Sequence, residues 1–421
     1  MKKRTVIIGI DGVPFRLIDD LSQNGTMPSF GTLLEEGVFK KMSSSIPEVS
    51  SVSWSSIITG KNPGEHGIFG FTDLLSNTYT LSFPHSGKLK QPPFWQKEGE
   101  FVIINVPSTY PASHLNGFLV SGFISPDLER AVYPSEYVDL LASFNYKIDL
   151  DTKKARKSEK LLFKELFETL ESRIQVYRYF WDKFDWDVFM LVITGSDRLE
   201  HFLWQAYKDE THEYHKKFLE FFTNVDEIIK EIDQRLHRSD SLIIVSDHGM
   251  ESTTCNINVN CHLEDTGFLV KGSNPRMGLN NIKKGTKAFA LDPGRIYLNK
   301  KGKYPLGVIS PEEEEQAIVE LKDAFELLEK DGEKVIKNIY SKDQIYQGMY
   351  TDSAPDLVLL PNKGFNLKGG ILPTRVFDTD VLQGKHTQED AFLFVKSEQS
   401  RIPQKPSVED VVPVLTHCMG W

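Results

Sequence analysis

Apolar residues in this chain fall in short continuous runs and rarely alternate with polar ones. Thr5–Ile10, Phe101–Val106, Gly117–Gly122, Asp187–Ile193 and Ser241–Val245 are such runs, rich in Val, Ile and Leu. Runs without polar alternation predict strands buried on both faces, as in a parallel sheet. Between them lie stretches of helical period: Pro28–Val38, with Phe30, Leu33, Leu34 and Val38 on one face, then Glu159–Phe184 and His212–Leu236. The apolar run Trp54–Ile58 suits the first turns of a buried helix. Serines at this density usually mean a loop, because their hydroxyls compete for backbone hydrogen bonds, but directly before this run they read as the N-cap of a buried helix. Strand and helix in alternation give a doubly wound α/β fold, a mostly parallel central sheet with helices on both faces.

The pattern changes after Met250. Residues 251–285 are polar and rich in Gly and Asn, and short strands follow at Ala288–Leu291, Arg295–Leu298 and Asp356–Leu360. A charged helix is expected at Pro311–Glu329. Ala391–Val395 reads as a returning core strand and Val408–Cys418 as a closing helix. The expected organisation is therefore a core made of residues 1–261 and 376–421, with an inserted α+β cap subdomain at 262–375. Residues 126–157, mixed and charged, suit a surface excursion or lid.

Composition narrows the function. The chain has 421 residues and a net charge of −10, which argues against a partner in nucleic acid, since backbone binders present a basic face. Cys255, Cys261 and Cys418 form no CxxC pair and no even disulfide set, as expected of reduced thiols. The N-terminal apolar run Val6–Ile10 meets Asp11 too early for a signal sequence, and no run reaches the ~18 apolar residues of a membrane span. A cytoplasmic protein is expected. No pattern bears on oligomeric state.

Chemistry enters at the strand ends. Asp11, Asp197 and Asp247 each follow an apolar strand at its carboxyl end, where open α/β sheets place their sites. Asp197 and His201 are four apart and share one helix face. His248 follows Asp247 at a glycine turn, and His386 stands in a Gly-Lys-His-Thr loop before a strand. A dinucleotide fingerprint is absent, because Asp11 occupies the place of its second glycine. Taken singly, these residues also read as turn residues, a surface ion pair or a loop histidine. Taken together they form a mixed Asp and His set without thiolate, which suits Zn²⁺, with Mn²⁺ as second choice. Six ligands match two open three-ligand sites, and two such ions ~4 Å apart can clamp an in-line displacement at phosphorus. A serine near position 50, where a strand turns into a helix, lies close to orphan N–H groups suited to a phosphate.

These motifs together resemble the alkaline phosphatase superfamily, and within it the type I phosphodiesterase/nucleotide pyrophosphatase family. The resemblance rests on IIGIDG at 7–12, SSVSWSSIITGKNPGEHGI at 50–68, DRLEH at 197–201, SDHGM at 246–250, GKH at 384–386 and DVVPVLTHCMG at 410–420. It implies one metal held by Asp11, Asp247 and His248 and another by Asp197, His201 and His386. It also implies a nucleophile nine residues before the Thr of Thr59-Gly60, which is Ser50, itself a metal-touching residue; a shift of one would select Ser51. The implied course is attack on phosphorus, a phosphoseryl intermediate and its hydrolysis. His66 matches no ligand of the family and is expected to serve packing or loop closure. Phe71 stands where nucleotide pyrophosphatases of this family carry an Asn that donates to a phosphate oxygen, which weakens the specific nucleotide label.

The expected activity is that of a metal-dependent phosphohydrolase acting on a small-molecule phosphate ester or nucleotide-like substrate, a phosphodiesterase first. A phosphomonoesterase, phosphonate hydrolase or phosphotransferase using the same residues is the alternative within the superfamily. A non-catalytic metal- or phosphate-binding protein is the alternative from another class.

Overall fold

The computed structural model describes residues 2–399 and 401–421, and for Pro275 and Arg276 the backbone alone. Among the described residues, an eight-stranded sheet forms the centre, in the order Val38–Met42, Ala391–Lys396, Ser241–Val245, Thr5–Ile10, Val188–Ile193, Phe101–Val106, Gly117–Ser121 and Val132–Tyr133. The five strands from Ser241–Val245 to Gly117–Ser121 pair in parallel, and the outer ones are antiparallel. Alternate residues of each central strand feed opposite layers. Val6, Ile8 and Ile10 pack with helices Phe15–Gln23, Glu159–Lys183 and His215–Arg235, whereas Ile7 packs with Trp54, Ile57, Val411 and Val414. Both faces are covered, so the strands need no polar side, as their composition requires. The chain therefore has the doubly wound, mostly parallel architecture that its pattern predicts.

Three local expectations are corrected. The predicted helix Pro28–Val38 stops at Leu34, and Val38–Met42 forms an edge strand against Ala391–Lys396. Gly37 weakens the helix, and the open edge of the returning strand supplies the ladder that Val38–Met42 joins. The serine run is not a cap placed before the helix but part of it: the helix begins at Ser50 and runs to Thr59 with every residue buried, and Val49 precedes it without a side-chain cap. Most of its hydroxyls find partners while the chain stays helical. Ser55 and Thr59 donate to the carbonyls four residues earlier (both 2.6 Å), and Ser53 meets the Ser44 and Ser45 hydroxyls at 2.9 and 2.8 Å. Finally, the Gly-Lys-His-Thr segment is a strand, Gly384–Thr387, paired antiparallel with Gly249–Ser252.

Residues beyond Met250 build a second apolar cluster around a four-stranded antiparallel sheet, Ala288–Leu291, Arg295–Leu298, Leu357–Pro361 and Ile336–Ser341, with helix Glu314–Glu326 against it. Arg295 is fully buried and uses its fork to tie this sheet to the loop after the serine helix. It donates to the carbonyls of Asp292 and Thr72 (both 2.7 Å) and to the Tyr297 hydroxyl (3.1 Å). Among the described residues, no helix is long and apolar enough to cross a membrane.

Candidate metal centre

Three adjacent strands, Ser241–Val245, Thr5–Ile10 and Val188–Ile193, end side by side. Asp247-His248, Asp11 and the helix Gly195–Lys208 with Asp197 and His201 therefore emerge at one edge of the sheet. His386 arrives from far along the chain through the short ribbon. Its strand pairs with the one that begins directly after His248, and the His248 and His386 rings stack with centroids 3.6 Å apart. Ser50 joins them as the first residue of the serine helix.

On one side, Asp197 Oδ1, His201 Nε2 and His386 Nε2 form a triangle with edges of 2.9, 3.2 and 3.3 Å. The Nδ1–H of His201 donates to the Gly384 carbonyl (2.8 Å) and that of His386 to the Glu48 carbonyl (2.9 Å). Carbonyls only accept, so both Nε2 atoms present bare lone pairs to each other and to a carboxylate oxygen. Such an arrangement is repulsive unless a cation sits among the three. Donors 2.0–2.1 Å from a tetrahedral ion stand ~3.3 Å from one another, close to the edges observed.

On the other side lie Asp11, Asp247 and His248. His248 donates Nδ1–H to the Gly249 carbonyl (3.1 Å), and its Nε2 is 3.3 Å from Asp247 Oδ2 and 3.9 Å from Asp11 Oδ1. Asp247 Oδ2 is buried without a hydrogen-bond partner among the described residues. Each group can hold one metal ion, and the donor chemistry fits Zn²⁺ or Mn²⁺ at both.

Electrostatics point the same way. Burial, then the charges of Asp247 and Asp197, push Asp11 well above the usual carboxylate range, and burial raises Asp247 to about 7. Burial also pushes Asp197 up, but the neighbouring His201, His386 and Arg198 outweigh it and hold its carboxyl well below the ordinary value. Burial lowers His201 and His248 to about 4 and lowers His386 as well, keeping the imidazoles in their ligating form. Glu200 adds a fourth buried carboxylate, raised first by burial and then by the three aspartates, with no partner for either oxygen among the described residues. Cations would relieve this crowding.

Ser50 Oγ lies 3.1 Å from His248 Nε2. Ser51 is fully buried, and its hydroxyl has no partner among the described residues. At the start of the serine helix the Val52 and Ser53 N–H groups donate to the Val49 carbonyl, and those of Ser50 and Ser51 have no backbone partner among the described residues. The structure thus brings together all seven residues, Asp11, Ser50, Asp197, His201, Asp247, His248 and His386.

Several contributors have no obvious signal in the sequence. Trp54 Nε1 donates to Asp11 Oδ2 at 2.8 Å, and its ring crosses the first strand at Gly9, where a Cβ would stand 2.4 Å from Trp54 Cη2. The Gly12 N–H donates to Asp247 Oδ1 at 3.0 Å, from a backbone with φ +77° whose Cβ would meet Asp197. Arg198 Nη1 reaches Asp197 Oδ2 at 3.0 Å. Trp54 and Gly12 lie inside the motifs, so a search for donors to the three aspartates could find them. Asp149, which holds Arg198, lies far outside any motif. Beside Ser50, Phe71 packs on Val49, Val52 and Ile68 and meets Phe123 edge-on, with centroids 5.7 Å apart.

The type I phosphodiesterase / nucleotide pyrophosphatase family model matches residues 5–388. No curated protein matches the sequence. Among solved structures, phosphonoacetate hydrolase from Sinorhizobium meliloti 1021, in complex with phosphonoacetate, is similar with a TM-score of 0.66 at 15% identity, over 99% of this chain and 96% of that one. Murine ectonucleotide pyrophosphatase / phosphodiesterase 5 is similar with a TM-score of 0.58 at 14% identity, over 99% and 95%. An inactive form of the murine protein in complex with AMP gives 0.59 at 13% identity, over 100% and 95%.

Proposed function

The chain belongs to the type I phosphodiesterase/nucleotide pyrophosphatase family of metal-dependent phosphoric ester hydrolases, and from that membership we propose a two-ion phosphodiesterase that works through Ser50. Asp197, His201 and His386 would hold one ion and Asp11, Asp247 and His248 the other, with Ser50 beside the second. Bound ions would supply Lewis acidity at a phosphoryl oxygen and favour the ionised form of an oxygen nucleophile. Zn²⁺ is the preferred ion for this Asp and His set and Mn²⁺ the second choice. The observation that carries the reading is the triangle of bare donors, Asp197 Oδ1, His201 Nε2 and His386 Nε2, with edges of 2.9–3.3 Å.

The chain's own residues account for the rest of the chemistry. Ser50 Oγ, held at the start of its helix, attacks phosphorus and loses its proton to solvent. The new Oγ–P bond replaces the P–O bond to the leaving group, which departs with a proton from water. Water then cleaves the Oγ–P bond and returns a proton to Ser50. The Ser50 and Ser51 N–H groups, which have no backbone partner among the described residues, would donate to a phosphoryl oxygen, where negative charge gathers. The three aspartates and three neutral imidazoles keep their positions throughout, because each is anchored through its other polar atom.

Phe71, packed on Val49, Val52 and Ile68 and edge-on to Phe123, puts aromatic carbon where a nucleotide pyrophosphatase would offer an amide. This favours a phosphodiester with an apolar or aromatic substituent over a nucleoside polyphosphate, and leaves a monoester or phosphonate as the second reading. We read 262–375 as the cap that walls the pocket. In support, Tyr346 donates to the Ile46 carbonyl at 3.0 Å and packs on Phe69, with centroids 5.2 Å apart. Three buried free thiols, Cys255, Cys261 and Cys418, suit a reducing compartment such as the cytoplasm.

The test is turnover of bis-p-nitrophenyl phosphate against p-nitrophenyl phosphate by protein carrying measured Zn²⁺ or Mn²⁺. The diester is expected to be the better substrate. Ser50→Ala should lower kcat at least ~10³-fold with metal content unchanged. No turnover of either ester by the two-ion protein would overturn the reading in favour of a binding protein, and loss of activity in Ser51→Ala instead would move the nucleophile.

A further inference from the structure

In all three aspartates of the centre, one carboxylate oxygen faces inward and the other is anchored. The anchors are Trp54 Nε1 on Asp11, the Gly12 N–H on Asp247 and Arg198 on Asp197, at 2.8, 3.0 and 3.0 Å. Two of the three are neutral. Arg198 alone carries a full charge, and a positive charge next to a metal ligand should by itself oppose a cation. The structure resolves this by giving Arg198 a second acid. Asp149 Oδ2 accepts from Arg198 Nη2 at 2.8 Å and from Nε at 3.2 Å, while Nη1 remains for Asp197. The guanidinium also lies over the Phe123 ring, 4.6 Å from its centroid. Its side chain and that of Asp149 are only 17% and 14% exposed.

We propose that Arg198, clamped by Asp149 and seated on Phe123, is the positioning residue of the centre, turning Asp197 so that Oδ1 faces His201 and His386. Asp149 offsets the charge, so orientation is gained without a net repulsion of the ion. A planar fork can bond both carboxylates at once, whereas a lysine ammonium would act as a single point charge and lose one of them. The arrangement also gives the 126–157 segment a role in the centre, because Asp149 belongs to it. The inference rests on the reading of Asp197, His201 and His386 as ligands of one ion.

The test measures Zn²⁺ itself, in competition with a chromophoric chelator, on the full chain. Wild-type protein should bind two ions. Arg198→Lys and Asp149→Asn should each weaken one ion by ~10–100-fold, the usual effect of removing a group that orients a ligand, while the other keeps its affinity. The double variant should be no weaker than the worse single one, because both act through one clamp. Raised Zn²⁺ should restore kcat in Asp149→Asn more fully than in Ser50→Ala. Asp149→Asn is the milder change and stands if Arg198→Lys fails to fold. Two ions bound with unchanged affinity in the variants would overturn the inference, as would equal weakening of both. Fewer than two ions on the wild-type protein would instead sink the two-ion reading beneath it.

Discussion

His66 illustrates how a residue from a chemical motif can have a structural task. Its Nδ1 accepts from the Ile68 N–H at 3.2 Å, so Nε2 carries the proton and donates to Ser56 Oγ at 3.0 Å. Burial pushes its pKa down from 6.5 to about 3, because a charged ring would be stripped of water and would lose the Ile68 bond. In the unfolded chain the same ring takes a proton near pH 6.5. Between those values the unfolded state binds more protons, so stability falls as pH drops, by about 1.4 kcal/mol per pH unit. At pH 5 the loss from this one residue should be about 2 kcal/mol. Urea titrations at pH 7 and pH 5 check it: His66→Gln, which keeps a donor and an acceptor, should narrow the gap between the two pH values by about that amount. An equal gap in both proteins would refute the assignment.

At the scale of elements, the turn after the serine helix holds three parts of the chain together through Asn62. It caps the short helix Pro63–His66, accepting from the Gly64 N–H at 3.0 Å, while Glu65 returns a bond to the Asn62 N–H at 3.2 Å. The same side chain donates to the Ile345 carbonyl (3.1 Å) and to Glu409 (3.2 Å) and accepts from the Gln347 N–H (3.0 Å). Asn62→Ala should therefore cost more than an isolated cap, about 2 kcal/mol at the upper end for such residues. The denaturant midpoint reports it; a loss below ~0.5 kcal/mol would mean that these bonds are replaced by water at no cost. The element-level errors in the sequence reading have the same origin. The serines from 50 on look like a loop or a cap until Ser44 and Ser45 meet the Ser53 hydroxyl and His66 meets that of Ser56. His386 looks like a loop histidine until Gly249–Ser252 pairs with its strand.

For the whole molecule, the proposed centre would act as a staple. Its candidate ligands run from Asp11 to His386 and come from the ends of two sheet strands, one helix and a ribbon, so bound ions would join most of the core. Because an unfolded chain offers no such site, each ion stabilises the fold by RT ln(1 + [L]/Kd), about 2.7 kcal/mol at a hundredfold excess over Kd. Chelation should lower the thermal midpoint by several degrees, and re-addition of Zn²⁺ or Mn²⁺ should restore it. An unchanged midpoint, with metal loss verified by elemental analysis, would show that the centre is held by the protein alone. The apo protein should soften first at the sheet edge carrying Asp11, Asp197, Asp247 and Glu200, where four buried carboxylates are left in mutual repulsion.

The sequence by itself determined the layered architecture, because continuous apolar runs admit few alternatives to strands buried on both faces. It also placed Asp11, Asp197 and Asp247 at strand ends, since each follows its run within four residues, and it assembled the candidate set by residue type. Tertiary structure alone decided orientation. Which oxygen of each aspartate faces inward depends on donors from Trp54, Gly12 and Arg198, and the last depends in turn on Asp149, far away in a segment without periodicity. The serine stretch changes meaning for the same reason: a hydroxyl's partner is fixed by distance in space, and sequence spacing encodes that distance only within a single element.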